Sequence, residues 1–504
     1  MLDLRGPEGR IKMLTSFLEK LAIKIFEAGQ KKLSSSNRKK EISPSGFYLG
    51  RSQKLYSRLE EENLFLSVEE RTGHFYIIGG SGTGKTTLIE NCIRHDIVQN
   101  KGFCLLDAHG DLSEKLIRFL ASLWQKKQGT QKEEFARRLI LVEPFHDRIT
   151  GFNPLEVSSG DSVYSCALEM MNVFKRRWDF GPRMEELFRV CLVTLSENKL
   201  TLLEAPLLLT NKEARDLLVG NLVNQEIKSY WLDRYNKLSQ GSKVQYREPV
   251  LNKITEFLTD ENIRYMLGQA WSTLDFRKAM DDGQWIILNI AKGRLKGNAL
   301  LLGGLFLAKL QLTTLSRANI SPYQRRHFYD YLDEFQNFIN AREGGDVETL
   351  LSESRKYNLH LTMAHQNLAQ LDSSLLNAIL GNVNALLCFR LGYKDALTLA
   401  PELSPADKNM LSDNLIKLKI GEAYLKIKGK PCRLVKIPFP VAPDVHPKVV
   451  EEFKKLSLSF STRPLEEVKR EIEERHQKLK TKNKITGNGY HSHNKNPAEG
   501  QNEW

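Results

Sequence analysis

The 504-residue chain has little of what marks a disulfide-bonded, zinc-binding or membrane-spanning protein. Its six cysteines (Cys92, Cys104, Cys166, Cys191, Cys388 and Cys432) are scattered, with no C-x-x-C pair and no clustered histidines. That spacing argues against a zinc site. Several of the cysteines sit in apolar runs, where a free thiol behaves as a small hydrophobe, and a reducing cytosolic compartment fits. No run reaches the roughly 18 uncharged apolar residues of a membrane span. The longest candidate, residues 299–308, reads as a core helix. The opening Met1-Leu-Asp-Leu-Arg lacks the arrangement of a signal peptide, and no internal repeat is visible. These absences predict a soluble, cytoplasmic protein.

What is present is a globular composition, with 41% hydrophobic residues, long enough for two to four domains. The formal net charge of +13 favours an anionic partner, nucleic acid or a membrane surface. Part of the excess lies near the ends, at Lys31, Lys32, Arg38, Lys39 and Lys40 and at Lys478, Lys480, Lys482 and Lys484.

Residues 10–30 set Ile11, Leu14, Phe17, Leu18, Leu21, Ile25 and Phe26 at helical spacing, predicting an amphipathic helix that docks on a core or a partner. A polar, basic linker (31–44) follows, so a first segment is expected over 1–45. Strand-like runs then recur at 75–78, 103–106, 139–142, 285–290, 328–332, 359–363 and 386–389. Most are apolar nearly throughout, as in a sheet covered on both faces, and helical segments lie between several of them. The pattern predicts an α/β fold with a mainly parallel sheet, carried by 46–160 and 276–440. Between them, 161–275 loses its strand signals. Helix-period segments at 185–195, 212–223, 225–237 and 250–258 predict an all-helical insertion. Over 441–504 the sequence turns polar. A charged helix is expected to open at Thr462-Arg-Pro-Leu-Glu-Glu, and beyond Lys482 the chain reads as disordered.

The chemistry concentrates in residues 74–89. A short apolar run stops at Gly79, and Gly79, Gly84, Lys85 and Thr86 fit G-x-x-x-x-G-K-[ST]. Glycines let the backbone of Gly79, Gly80, Ser81, Gly82, Thr83 and Gly84 fold around an anion with its N–H groups inward. Lys85 supplies charge to the outer phosphates, and the Thr86 hydroxyl can ligate Mg²⁺. The helix expected over 87–97, beginning at Thr87, aims its positive end at the same phosphates. The motif predicts binding of ATP or GTP. A second half follows at 327–337, His-Phe-Tyr-Asp-Tyr-Leu-Asp-Glu-Phe-Gln-Asn, where a strand ends in Asp333 and Glu334. In a phosphate-loop enzyme the first acid supports Mg²⁺ and the second polarises the attacking water. Asp330 breaks the apolar run without an evident role.

Together, residues 79–86 and Leu332-Asp-Glu-Phe-Gln resemble the HerA–FtsK superfamily of hexameric DNA-pumping ATPases. The nearest likeness is to the soluble parts of type IV coupling proteins of conjugation and their HerA-like relatives. Leu105-Leu-Asp-Ala-His-Gly-Asp-Leu is similar to that group's second-strand motif, with Ala108 where proline is usual. Residues 139–144 and 151–156 resemble the lead into the helical insertion, and 381–392 resemble a later strand. Residues 352–366 resemble the stretch holding the arginine finger and sensor glutamine. The likeness covers about 47–440 and implies a RecA-like P-loop NTPase that binds Mg²⁺ and ATP. It gives Lys85 and Thr86 to phosphate and metal, Asp333 to Mg²⁺, Glu334 to the water, and Gln366 to sensing the γ-phosphate. Arg355, with Arg390 as second choice, would reach a neighbouring subunit's ATP. The resemblance further implies a hexamer that moves DNA, with a relaxase, nuclease or secretion channel as partner. Where conjugative coupling proteins begin with a transmembrane anchor, this chain shows only the amphipathic helix, so peripheral inner-membrane contact through a partner is the expectation. The β-barrel that precedes the ATPase core in HerA proteins finds no room before Gly79.

Overall fold

The strand runs need partners on both sides and cover on both faces, and the computed structural model provides them. It describes residues 46–55, 61–143, 147–157, 162–290, 292–338 and 350–480. The expected N-terminal amphipathic helix and the tail beyond Lys480 lie outside these. The chain divides at Gly46 into two units, and every element below belongs to the second.

Thirteen strands are β1 (Phe47–Lys54), β2 (Glu62–Leu66), β3 (His74–Ile78), β4 (Gly102–Asp107), β5 (Leu139–Val142), β6 (Arg148–Ile149), β7 (Trp285–Asn289), β8 (Phe328–Asp333), β9 (Leu359–His365), β10 (Val383–Cys388), β11 (Glu422–Ile427), β12 (Arg433–Lys436) and β13 (Arg463–Pro464). Eleven form one sheet in the order β2-β1-β12-β11-β10-β3-β9-β8-β4-β7-β5. From β10 to β5 all neighbours are parallel. The other edge, β11, β12, β1 and β2, is antiparallel. Along β3, Phe75 and Ile77 enter the core on one face while Tyr76 and Ile78 enter that on the other. The same alternation in β4 and β7 explains their continuous hydrophobicity.

The helix Lys85–Val98 covers one face. Its Asp96 takes a two-pronged ion pair from buried Arg71 (2.7 and 3.0 Å) and a hydrogen bond from the Tyr331 hydroxyl, fastening it to β8. The helix Asn298–Ser316 lies on the other face. It is longer than expected, and the span 298–319 is long and apolar enough to cross a bilayer by length and composition. Yet 78% of that window is buried inside the protein, which makes it the core helix its sequence suggested.

Between β6 and β7 the described residues are helical without strands. Trp231 is wholly buried there and donates to Thr194 Oγ1 at 2.8 Å. The helix expected over 225–237 is α-helical only to Ser229, and Tyr230–Tyr235 widens into a π turn. The C-terminal segment also departs from expectation. A helix unforeseen in the sequence, Pro447–Ser461, returns to pack on the helices Asp111–Trp124 and Thr130–Arg137 and on β5, burying Phe453. Thr462 ends that helix instead of opening the next. Arg463 and Pro464 pair with β6, and the charged helix starts at Leu465. Extended backbone at Thr462 carries the chain into that pairing, and Arg148 secures it by donating to the Thr462 carbonyl at 2.7 Å.

Candidate nucleotide site

The site lies at the C-terminal ends of the parallel strands, where open α/β sheets leave a crevice. The loop after β3 folds back on itself. Gly82 and Gly84 hold φ of 70° and 123°, open to glycine and strained for other residues. Thr83 Oγ1 donates to Gly80 O at 2.8 Å, and Gly80 N donates to Arg390 O at 2.9 Å. Lys85 is buried, with Nζ donating to the carbonyls of Gly79 (2.8 Å) and Gly80 (3.1 Å) inside the loop. Burial holds its ammonium below the ordinary lysine range, while Glu334 and Asp333 pull the other way. Ser81 and Gly82 are exposed at the loop tip, and Thr87 is half-buried in the first turn of the helix.

One strand, β9, separates β3 from β8, yet the loop and the acids meet. Thr86 Oγ1 donates to Asp333 Oδ2 at 3.0 Å, across 247 residues of sequence. The other oxygen of Asp333 is buried and has no hydrogen-bond partner. Burial pushes its carboxyl up to about 6; the neighbouring acids Asp107 and Glu334 add to this, and the Thr86 hydrogen bond and Lys85 oppose it. A buried carboxylate oxygen in want of a partner, beside a hydroxyl, is the hard oxygen donor set that suits Mg²⁺.

Glu334 has a left-handed backbone (φ 56°, ψ 50°) and is 7% exposed. Gln366, just past β9, donates to its Oε1 at 2.9 Å, and Gln336 donates to its Oε2 at 2.7 Å. Together the two amides hold the carboxylate in one orientation. Gln336 went unrecognised in the sequence, where the only signal was its place two residues after the acid. A second layer lies beneath: His365 is fully buried, stacks on Tyr76 and meets its hydroxyl at 3.2 Å. Burial, with help from Lys85, lowers its imidazole to about 3, so it is neutral at working pH. Asp107, the last residue of β4, accepts from the backbone N–H groups of His109, Gly110 and Ser113 and so holds the start of the helix Asp111–Trp124.

The structure thus brings together Lys85, Thr86, Asp333, Glu334 and Gln366. Exposed Arg390 stands beside its own loop. Arg355 does not join the cluster. It lies in the 3₁₀ turn Ser354–Tyr357 before β9, at the opposite end of the strand from Gln366. Seven strand residues separate those ends by about 20 Å.

Proteins of known structure share this fold. Solved structures of similar fold include the unbound bacterial conjugative coupling protein TrwBΔN70 (13% identity, TM-score 0.52, covering 76% of this chain and 89% of that one). The plasmid coupling protein TrwB with the ATP analogue ADPNP matches at 15% identity and TM-score 0.52, over 75% and 88%. VirB4 of Thermoanaerobacter pseudethanolicus matches at 14% and 0.52, over 81% and 98%. These likenesses establish a RecA-like P-loop fold. No curated protein matches the chain. The family model described as the type IV secretion-system coupling protein DNA-binding domain matches residues 60–399. With that match over most of its length, this chain belongs to the family of type IV secretion-system coupling protein DNA-binding domains.

Proposed function

We propose that the chain is an ATP-hydrolysing motor that assembles as a ring, a hexamer by analogy with the resemblance noted in its sequence, and moves DNA through its centre. The observation that carries the hydrolytic reading is the meeting of Thr86 with Asp333, with Glu334 next in line. Thr86 and Asp333 would hold Mg²⁺ together with ATP, and the ion would supply charge neutralisation at the phosphates. Lys85 exchanges its loop carbonyls for phosphate oxygens. Glu334, held by Gln366 and Gln336, accepts the proton of the water that attacks the γ-phosphorus as the bond to the β–γ bridging oxygen breaks, and ADP and phosphate leave. TrwB has been solved with ADP and Mg²⁺ and with an ATP analogue, which supports the same ligands here.

Arg355, at the far end of β9 from its own phosphate loop, is the finger that reaches a neighbouring subunit's ATP, a reading supported by that distance. Arg390, beside its own loop, is placed for a contact within the subunit. The matched family and the net charge of +13 support DNA as the load, held through its phosphates with little sequence preference. The location expected for such a motor is cytoplasmic, with membrane contact through a partner.

The test is the ATPase rate with and without single- and double-stranded DNA across salt concentrations, alongside the mass in solution. A DNA-stimulated, salt-sensitive rate from an oligomer is expected. A rate indifferent to every DNA would instead favour an ATPase of this fold that powers protein secretion or pilus assembly.

A further inference from the structure

The phosphate loop fixes one end of the nucleotide, and the surrounding strands fix its direction. Glu334 and Gln366 lie on the β9–β8 side of β3. A γ-phosphate in reach of Glu334 therefore points that way, and the nucleoside points to the opposite side, toward β10, β11 and β12.

Two stretches of chain meet the loop on that side. Gly421, opening β11, donates its N–H to Thr83 O at 2.9 Å and its carbonyl accepts from Ile437 N at 2.8 Å. Beyond β12, the segment Ile437-Pro-Phe-Pro-Val lies along the phosphate-loop helix. Asn91 Nδ2 donates to Pro438 O at 2.8 Å and Arg94 Nη1 to Val441 O at 2.7 Å. Thr87, Asn91 and Arg94 share a helix face at i, i+4 and i+7, so this segment runs up the flank that begins at Thr87.

Phe439 sits on the segment with 67% of its surface exposed, and Ile420, next to Gly421, is 58% exposed. The Phe439 ring reaches to within 3.9 Å of the Cβ position at Gly421. Prolines on both sides of Phe439 fix its backbone, so little conformational freedom remains to be lost when something covers the ring. An aromatic face held stiffly in water beside a phosphate site is suited to a flat apolar ligand group.

We infer that Phe439, with Ile420 beside it, forms the platform on which the nucleotide's base stacks. This rests on the nucleotide reading above and extends it to the nucleoside end. Stacking recognises the face of a base rather than its edge.

Calorimetric titration of the full chain with MgATP and with inorganic tripolyphosphate tests this, with Phe439→Ala, Phe439→Tyr and Lys85→Ala compared with wild type. Phe439→Ala is expected to weaken ATP binding roughly tenfold, to leave tripolyphosphate unaffected, and to be rescued by Phe439→Tyr. Unchanged ATP affinity in Phe439→Ala would overturn the inference. So would an equal loss for both ligands, or a loss of oligomer with affinity intact, which would make the patch a subunit interface. Wild type binding neither ligand, or Lys85→Ala binding both normally, would remove the nucleotide reading itself and the platform with it.

Discussion

Gln366 donates a hydrogen bond to Glu334 across 2.9 Å, joining the end of β9 to the end of β8. The amide orients the carboxylate. Replacing Glu334 with Gln should lower the ATPase rate by at least about a hundredfold while ATP still binds. Gln366→Ala should give an intermediate loss, on the order of tenfold, with ATP affinity retained. Steady-state kinetics beside equilibrium binding separate the two effects, and full turnover by Glu334→Gln would move the base elsewhere.

The distance of Arg355 from its own phosphate loop makes complementation between subunits the decisive measurement. If Arg355 is the finger proposed above, Lys85→Ala subunits would lose phosphate binding but keep the finger, and Arg355→Ala subunits would keep phosphate binding but lose the finger. Each alone should be slow, and an equimolar mixture should regain part of the wild-type rate. A mixture as slow as its components would show that Arg355 does not act across subunits.

The chain on either side of the turn that carries Arg355 is held from β3. His74, 1% exposed, accepts from Leu361 N at Nδ1 (3.0 Å), which leaves Nε2–H to donate to Leu351 O at 2.9 Å. Burial lowers its pKa to about 4, so the bond does not titrate between pH 5.5 and 8. His74→Leu leaves two buried backbone groups unpaired and should cost roughly 1–3 kcal/mol of stability. It should also lower the ATPase rate with ATP affinity unchanged. Denaturant melts and ATP titrations check both, and a loss of ATP affinity would place the effect of His74 at the phosphate loop.

Asp330 is wholly buried in β8, and neither carboxyl oxygen has a hydrogen-bond partner apart from the neighbouring Cys104 thiol. Burial raises its pKa from 3.8 to about 7. An acid whose folded pKa is raised binds its proton more tightly when folded. Its contribution is therefore fully present below about pH 4 and is lost as pH rises to about 7. Asp330→Asn should melt above wild type at pH 8, by on the order of 2–4 kcal/mol in stability, and the gap should close toward pH 5. A gap independent of pH would mean the side chain is not the titrating group.

The parallel half of the fold was legible because strands buried on both faces must be apolar throughout, and all seven such runs are strands. The antiparallel edge was not. β1, β11 and β12 alternate buried residues with half-exposed or exposed ones such as Arg51, Lys426 and Lys436. Over four to eight residues that reads as polar loop. The loop and the acid pair were legible because phosphate and metal dictate residue types at fixed spacing. Gln336, His74 and Phe439 were not: Gln336 depends on the tight turn after β8, His74 on which strands lie side by side, and Phe439 on the segment that returns along the phosphate-loop helix.

The left-handed backbone at Glu334 sets chemistry against comfort at a single position. Glycine or asparagine would settle there with less strain, and neither carries a carboxylate. Selection for a sturdier fold alone would therefore erase the acid. With Glu334 as the proposed base, a relative with glycine after the aspartate would be expected, from that one letter, to grip its fuel without burning it.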